Sequence, residues 1–245
     1  MAVIQLSDFD AVAFDVEGTL ADTIPMHHQA RLAAFAEHGY GHITREQHEL
    51  GPTYGSSTAD IIGGILHAAG EIDTSHPFKE HPVVQKIMAS KSQLFEETAA
   101  NGFTEIPGAT HFVKTVATRF SGHMALVTSS PERFVLPFLG RYELDGYFPA
   151  HLLIGEDTVV AEGLEGKPAP DPYILAMERL GAHNVLVFED TVSGVASAKQ
   201  AGAVVIAVAC DAATVQIFSK GDLPYPPDFL VDDYAEAANL LGIKL

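Results

Sequence analysis

Five short apolar runs, separated by segments of helical periodicity, constrain this chain more than any other feature. The runs are Ala11–Phe14, Met124–Val127, a weaker one at 152–154, 185–188 and 204–209. Each is short and lacks polar alternation, the pattern of a strand covered on both faces in a parallel sheet. Between them, residues 110–120 put Phe112, Val113, Val116 and Phe120 on one helical face, and Ser121-Gly122 ends the segment. Asp171-Pro172 reads as the N-cap and first-turn proline of another helix that stops near Gly181. This alternation predicts an α/β fold with right-handed crossovers.

One interval breaks the rhythm. From the first run to Pro107-Gly108 the sequence reads as helical throughout. Residues 27–38 stop at Gly39. Residues 58–69 carry Ile61, Ile62, Ile65, Leu66 and Ala69 on one face and stop at Gly70, and residues 82–100 carry Val84, Ile87, Met88, Leu94 and Phe95. An insertion of this size predicts a small helical bundle of its own. The expected division is a core of residues 1–23 and 106–245, with residues 24–105 as the helical insertion.

Composition limits the partners. At 47% hydrophobic and 19% charged, the chain can bury a proper core. A formal net charge of −18 argues against nucleic acid and anionic lipid as partners. An anionic substrate then needs local compensation by a cation or by backbone amides. Cys210 is the only cysteine, which excludes an intramolecular disulfide and a cysteine zinc cluster. Because it follows the run 204–209, it is expected to be buried and inert. The N-terminus has no basic segment leading into a long apolar one, and no run approaches the ~18 residues that span a bilayer. A cytoplasmic location without membrane partners is the expectation.

Ligands of open parallel sheets bind beyond the carboxyl ends of the strands, so the residues after each run are the candidates. Asp15, Glu17, Gly18 and Thr19 follow the first run. Thr128, Ser129 and Ser130 follow the second, with Pro131 opening a helix. Glu189, Asp190 and Thr191 follow the fourth, with Ser193-Gly194 opening a helix. Lys167 stands between Gly166 and Pro168 in "GKPAPDP". Hard carboxylate oxygens without cysteine favour magnesium. Hydroxyls and free amides at a helix N-terminus suit a phosphate, which a lysine can help neutralise. A carboxylate beside the metal could attack phosphorus. Taken singly, residues 128–130 also read as an ordinary helix cap and Lys167 as a solvated loop residue. Their shared position at strand ends favours the chemical reading.

These stretches are similar, in order, to the four motifs of a known family: "FDVEGTL", "LVTSS", "GKPAPDPY" and "VFEDTVSG". The chain resembles the haloacid dehalogenase-like superfamily. Within it, the resemblance is to the branch with a helical cap after the first strand, which includes phosphoglycolate phosphatase and beta-phosphoglucomutase-like proteins. That resemblance covers nearly the whole chain and implies a Rossmann-like parallel-sheet core with an inserted α-helical cap domain. It implies Asp15 as the nucleophile that becomes an aspartyl phosphate, and Glu17 in the acid/base position with its main-chain carbonyl on Mg2+. It further implies Thr128 and the following backbone at the transferring phosphoryl group, Lys167 bridging that group to Asp15, and Asp190 as a metal ligand. For Glu189 the resemblance implies a metal ligand or a residue that orients the metal's water. Gly18, Thr19, Ser129 and Ser130 complete the expected phosphate site. The departure is Glu17, where most phosphatases and mutases of the branch have aspartate. Enolase-phosphatases of the superfamily carry glutamate there, whereas true dehalogenases have an aromatic residue.

The cap is expected to set specificity. "DTIPMHHQA" resembles the hinge segment of the branch, in which His27 faces the cleft; a histidine in a first helical turn is more often just solvated. Lys91 falls on the apolar stripe Val84, Met88, Lys91, Phe95, so it either snorkels to water or meets a substrate anion. Sugar phosphomutases place an arginine in the cap loop, and the matching "GPTYGSST" has no basic residue. The function expected is a magnesium-dependent phosphatase acting on a small phosphorylated metabolite, as a monomer or weak homodimer. A phosphomutase of the same fold and a non-catalytic metabolite-binding protein are the alternatives.

Overall fold

Strand β1 (Ala11–Phe14) runs through the middle of a six-stranded parallel sheet, in a computed structural model that describes residues 4–44, 57–99, 102–210, 212–219 and 221–245. The other strands are β2 (Ala21–Asp22), β3 (Thr104–Glu105), β4 (Met124–Val127), β5 (Leu153–Ile154), β6 (Val185–Glu189), β7 (Val204–Val208) and β8 (Phe229–Val231). Their order in the main sheet is β5-β4-β1-β6-β7-β8. Ala13 registers with Ala125 on one side and Val187 on the other. From β1 the chain moves outward through β4 and β5, then returns to β6 on β1's other side. The carboxyl end of β1 is therefore the switch point of the sheet, where a crevice opens.

The period-2 geometry of strands divides their side chains between two cores. Ala11, Ala13, Ala125, Val127, Val185, Val187, Val205 and Ala207 face one way, onto Tyr173, Ala176 and Leu180 of helix Asp171–Leu180 and Val195 and Ala198 of helix Val192–Gln200. Phe14 anchors the other face. It stacks on Phe188 with centroids 4.9 Å apart and meets Phe112 and Phe148 edge-on, while Phe112 also contacts Tyr234 at 5.0 Å. Such offset and edge-to-face pairs add to the stabilisation from area burial alone.

The chain divides into two compact units: Met1–Asp22 with Gly102–Leu245, and Thr23–Asn101. The second unit is helical, with Ile24–Glu37, Thr58–Ala68 and Pro82–Ala99 around Ala34, Phe35, Ile62, Ile65, Leu66, Val84 and Ile87. Among the described residues, no helix is long and apolar enough to cross a membrane.

Several local expectations change. The segment after the first run is not helical throughout, because β2 and β3 pair antiparallel within the first unit, which takes in residues 102–105. Two residues per strand leave no periodicity to read. The run at 152–154 begins with a 3-10 turn, Ala150–Leu152, so only Leu153 and Ile154 pair with β4. Asp171 is not an N-cap. It is the first residue of its helix and accepts from the Glu165 amide at 3.0 Å, while Pro170 occupies the cap position. Cys210 is exposed rather than buried, because β7 ends at Val208 and residue 210 lies beyond the carboxyl end of the strand.

Truncating the ring at the centre of the second core tests this packing. Phe14→Ala should lower the unfolding free energy by about 3–5 kcal/mol, measured by urea denaturation.

Candidate active site

Three neighbouring strands end in the same crevice. Asp15 follows β1, its amide donating to the Phe188 carbonyl at 2.9 Å. Glu189 ends β6 and Asp190 follows it. All three acids are buried, Glu189 completely, and each offers an oxygen within 4.8 Å of the others. The Lys167 side chain, 4% exposed, reaches between them. Its Nζ donates to Asp15 Oδ1 at 2.7 Å, to Glu189 Oε1 at 2.6 Å and to the Val127 carbonyl at the end of β4 at 2.8 Å.

Burial pushes the Asp15 carboxyl up to about 7, against the pull of Lys167 and with added repulsion from Glu189. Burial also raises Asp190 well above the usual carboxylate range, and Asp15 and Glu189 add to the shift. Burial opposes the Lys167 ammonium, but attraction to Asp15 and Glu189 outweighs it and holds the lysine above its ordinary value. One ammonium is thus set against three buried carboxylates. The donors are all oxygens, so a hard divalent cation fits both their chemistry and the uncompensated charge.

The sequence-predicted residues sort into distinct places. Thr19 is fully buried, and its hydroxyl donates to Asp190 Oδ1 at 3.1 Å. The Gly18 amide donates to the Ala21 carbonyl at 2.8 Å and its φ is +82°; a Cβ there would lie 2.0 Å from Asp190 Oδ2. Both residues hold the Asp190 side of the crevice, and neither offers a free donor to a phosphate through these groups. Thr128 is buried, with Oγ1 accepting from the Ser130 amide at 3.1 Å, while Ser129 is exposed. Ser130 Oγ donates to Glu17 Oε1. The Glu17 carboxylate stands outside the acidic cluster, so only its main chain remains available for the role expected at a metal. In the helical unit, Lys91 Nζ and His27 Nδ1 are 2.9 Å apart, and the His27 ring stacks on Phe95 at 4.1 Å. Lys91 therefore has a partner within its own unit. The loop "GPTYGSST" lies outside the described residues except for its last two positions.

Sequence reasoning missed Tyr173. This residue is 1% exposed, donates its hydroxyl to Glu189 Oε1 at 2.8 Å and places its ring 5.0 Å from Lys167 Nζ. The other Glu189 oxygen accepts from the Asp190 amide and from the amide and hydroxyl of Thr191. Thr191 Oγ1 in turn accepts from Gly194 N at 3.0 Å, capping helix Val192–Gln200. Tyr173 had a readable signal, being the one polar aromatic on the buried face of a helix that begins four residues after Lys167. Tyr234 had none. Its hydroxyl reaches the Thr19 carbonyl at 3.0 Å from far along the chain.

The fold and site define an α/β protein with an acid–lysine centre at the switch point of its parallel sheet. The sequence model of the haloacid dehalogenase-like hydrolases matches residues 9–202, and the chain belongs to that family. The phosphorylated carbohydrates phosphatase of Thermotoga maritima is 31% identical over 79% of this chain and 82% of its own. A phosphoglycolate phosphatase of Yersinia pestis is 27% identical over 82% and 81%. Among solved structures, CbbY from Rhodobacter sphaeroides in complex with phosphate has a TM-score of 0.64 at 25% identity, covering 96% of this chain and 100% of that one. The protein is an enzyme of this hydrolase family, similar in sequence to proteins named phosphatases.

Gly194 provides a test of the site's rigidity. A Cβ there would fall 1.9–2.1 Å from the Glu189 carboxylate, which Lys167, Tyr173 and Thr191 pin in place. In an ordinary helix Gly→Ala is stabilising by roughly 1 kcal/mol. Here Gly194→Ala should destabilise instead, seen as a lowered urea midpoint.

Proposed function

We propose that the protein is a magnesium-dependent phosphatase that hydrolyses a small phosphorylated metabolite, of the sugar-phosphate or phosphoglycolate type, through an aspartyl phosphate on Asp15. The observation that carries this reading is the Asp15 carboxylate at the end of β1, clasped by Lys167 beside Glu189 and Asp190. The names of its phosphatase relatives support the same substrate class.

Magnesium would be held by Asp15, Asp190 and the Glu17 carbonyl, and when bound would supply positive charge to the acids and to the phosphoryl oxygens. Glu189 is assigned a positioning role, since both its oxygens already accept hydrogen bonds from Lys167, Tyr173, Asp190 and Thr191. In the first transfer an Asp15 oxygen bonds to phosphorus as the ester P–O bond breaks, and Glu17 gives its proton to the departing oxygen. In the second, Glu17 takes a proton from water, whose oxygen displaces Asp15 and releases inorganic phosphate. Lys167 stays protonated throughout and holds Asp15 in line. Thr128, Ser129 and the adjoining backbone are assigned to the phosphoryl oxygens. The choice among esters is assigned to the helical unit, through Lys91 and His27.

A panel of phosphate esters, assayed for inorganic phosphate with magnesium and with a chelator, tests this reading. Turnover should require the metal and release phosphate stoichiometrically; isomerisation without release would indicate a mutase. Asp15→Asn should fall below a tenth of the wild-type rate while unfolding cooperatively, because losing the covalent nucleophile raises the barrier by several kcal/mol. Glu17→Gln should retain magnesium binding, measured calorimetrically, yet lose roughly 10²–10⁴-fold in turnover of an alkyl phosphate.

A further inference from the structure

The most informative contact outside the acidic cluster is the one Ser130 makes. The sequence places this serine among phosphate-binding hydroxyls, but its Oγ donates to Glu17 Oε1 instead. The loop that carries it is fastened on both sides. The Ser130 amide donates to Thr128 Oγ1 at 3.1 Å, and its carbonyl accepts from the Glu156 amide at 3.0 Å. Two residues on, Glu132 Oε1 accepts from the Gly155 and Thr158 amides, each at 3.0 Å, tying the start of helix Glu132–Arg141 to the segment after β5. Gly155 permits this close approach, since a Cβ there would lie 2.8 Å from both the Ser130 carbonyl and Glu132 Cδ. Ser130 is thus held by backbone and side-chain bonds with its hydroxyl aimed at one carboxylate oxygen.

We propose that Ser130 is the positioning residue for Glu17. By donating to Oε1 it fixes the rotation of the carboxyl group and directs the transferable proton to Oε2. The inference deepens the phosphatase reading and rests on it. It also gives the glutamate at position 17 a physical reason. With a C–C bond of ~1.5 Å, an aspartate there would hold its carboxylate roughly 1.3 Å further back from the Ser130 hydroxyl. Serine and glutamate therefore act as a pair, the longer acid needing a tether because it has one more rotatable bond to restrain.

A proton donor matters most when the leaving oxygen is a poor leaving group. The test therefore compares kcat/KM for an alkyl phosphate and for p-nitrophenyl phosphate, whose anion departs without protonation. Ser130→Ala should lower kcat/KM at least tenfold more for the alkyl ester than for the aryl ester, and Ser130→Thr, which keeps the hydroxyl, should restore most of the difference. In a Glu17→Asp background, Ser130→Ala should add no further selective loss, since the pair is already separated. Equal losses on both esters in an active, folded enzyme would overturn the positioning role and return Ser130 to the phosphate. Wild-type protein that hydrolyses neither ester with magnesium would overturn the phosphatase reading itself, and the positioning role with it.

Discussion

A lysine ammonium sealed between two carboxylates and a carbonyl organises the crevice end of the sheet. Lys167 Nζ joins Asp15 after β1, Val127 at the end of β4 and Glu189 at the end of β6. Three adjacent strands are therefore cross-linked at their carboxyl ends by one charge. Removing a single partner from such a buried set leaves the others uncompensated, which is far more costly than exchanging the whole set for apolar groups. The arrangement is strongly specified for that reason, and the surrounding residues serve to keep it dry and fixed. Tyr173 covers Lys167 with its ring and ties down Glu189 with its hydroxyl. Gly194 and Gly18 leave the space that the two acids occupy.

That cross-link does not neutralise the site. Three buried carboxylates share one ammonium, and Asp15 and Asp190 are both displaced toward the protonated form by burial and mutual repulsion. The same three acids offer oxygens close enough together to hold a metal ion. The proposed anionic substrate would depend on a bound cation beside Lys167, because local charge rather than the overall field decides what enters.

The acids are also divided by what holds them. Asp15 is held by an ammonium, Asp190 by the Thr19 hydroxyl, and Glu189 by amides, hydroxyls and the ammonium together. Glu17 stands apart, facing the Ser130 hydroxyl. Carboxylates in such different surroundings are suited to different tasks, and the roles proposed for these four acids follow that division.

The α/β class, the long strands and the acids and lysine that meet in the crevice were legible in the sequence. Apolar runs this short, without alternation and bounded by turn residues, fit strands covered on both faces, and the residues after parallel strands emerge at one edge of the sheet. Short elements were not legible: β2 and β3 have two residues each, and β8 is a three-residue edge strand whose residues alone carry too little pattern. Cys210 was misread because an apolar neighbourhood in sequence says nothing about where a strand stops. Side-chain partners were decided by the tertiary structure alone. Whether Ser130 faces a phosphate or Glu17, and whether Thr19 is open or bonded to Asp190, depends on contacts between segments more than a hundred residues apart. Spacing along a chain records which residues arrive at the crevice; the direction in which each hydroxyl points is settled only when the strands close around it.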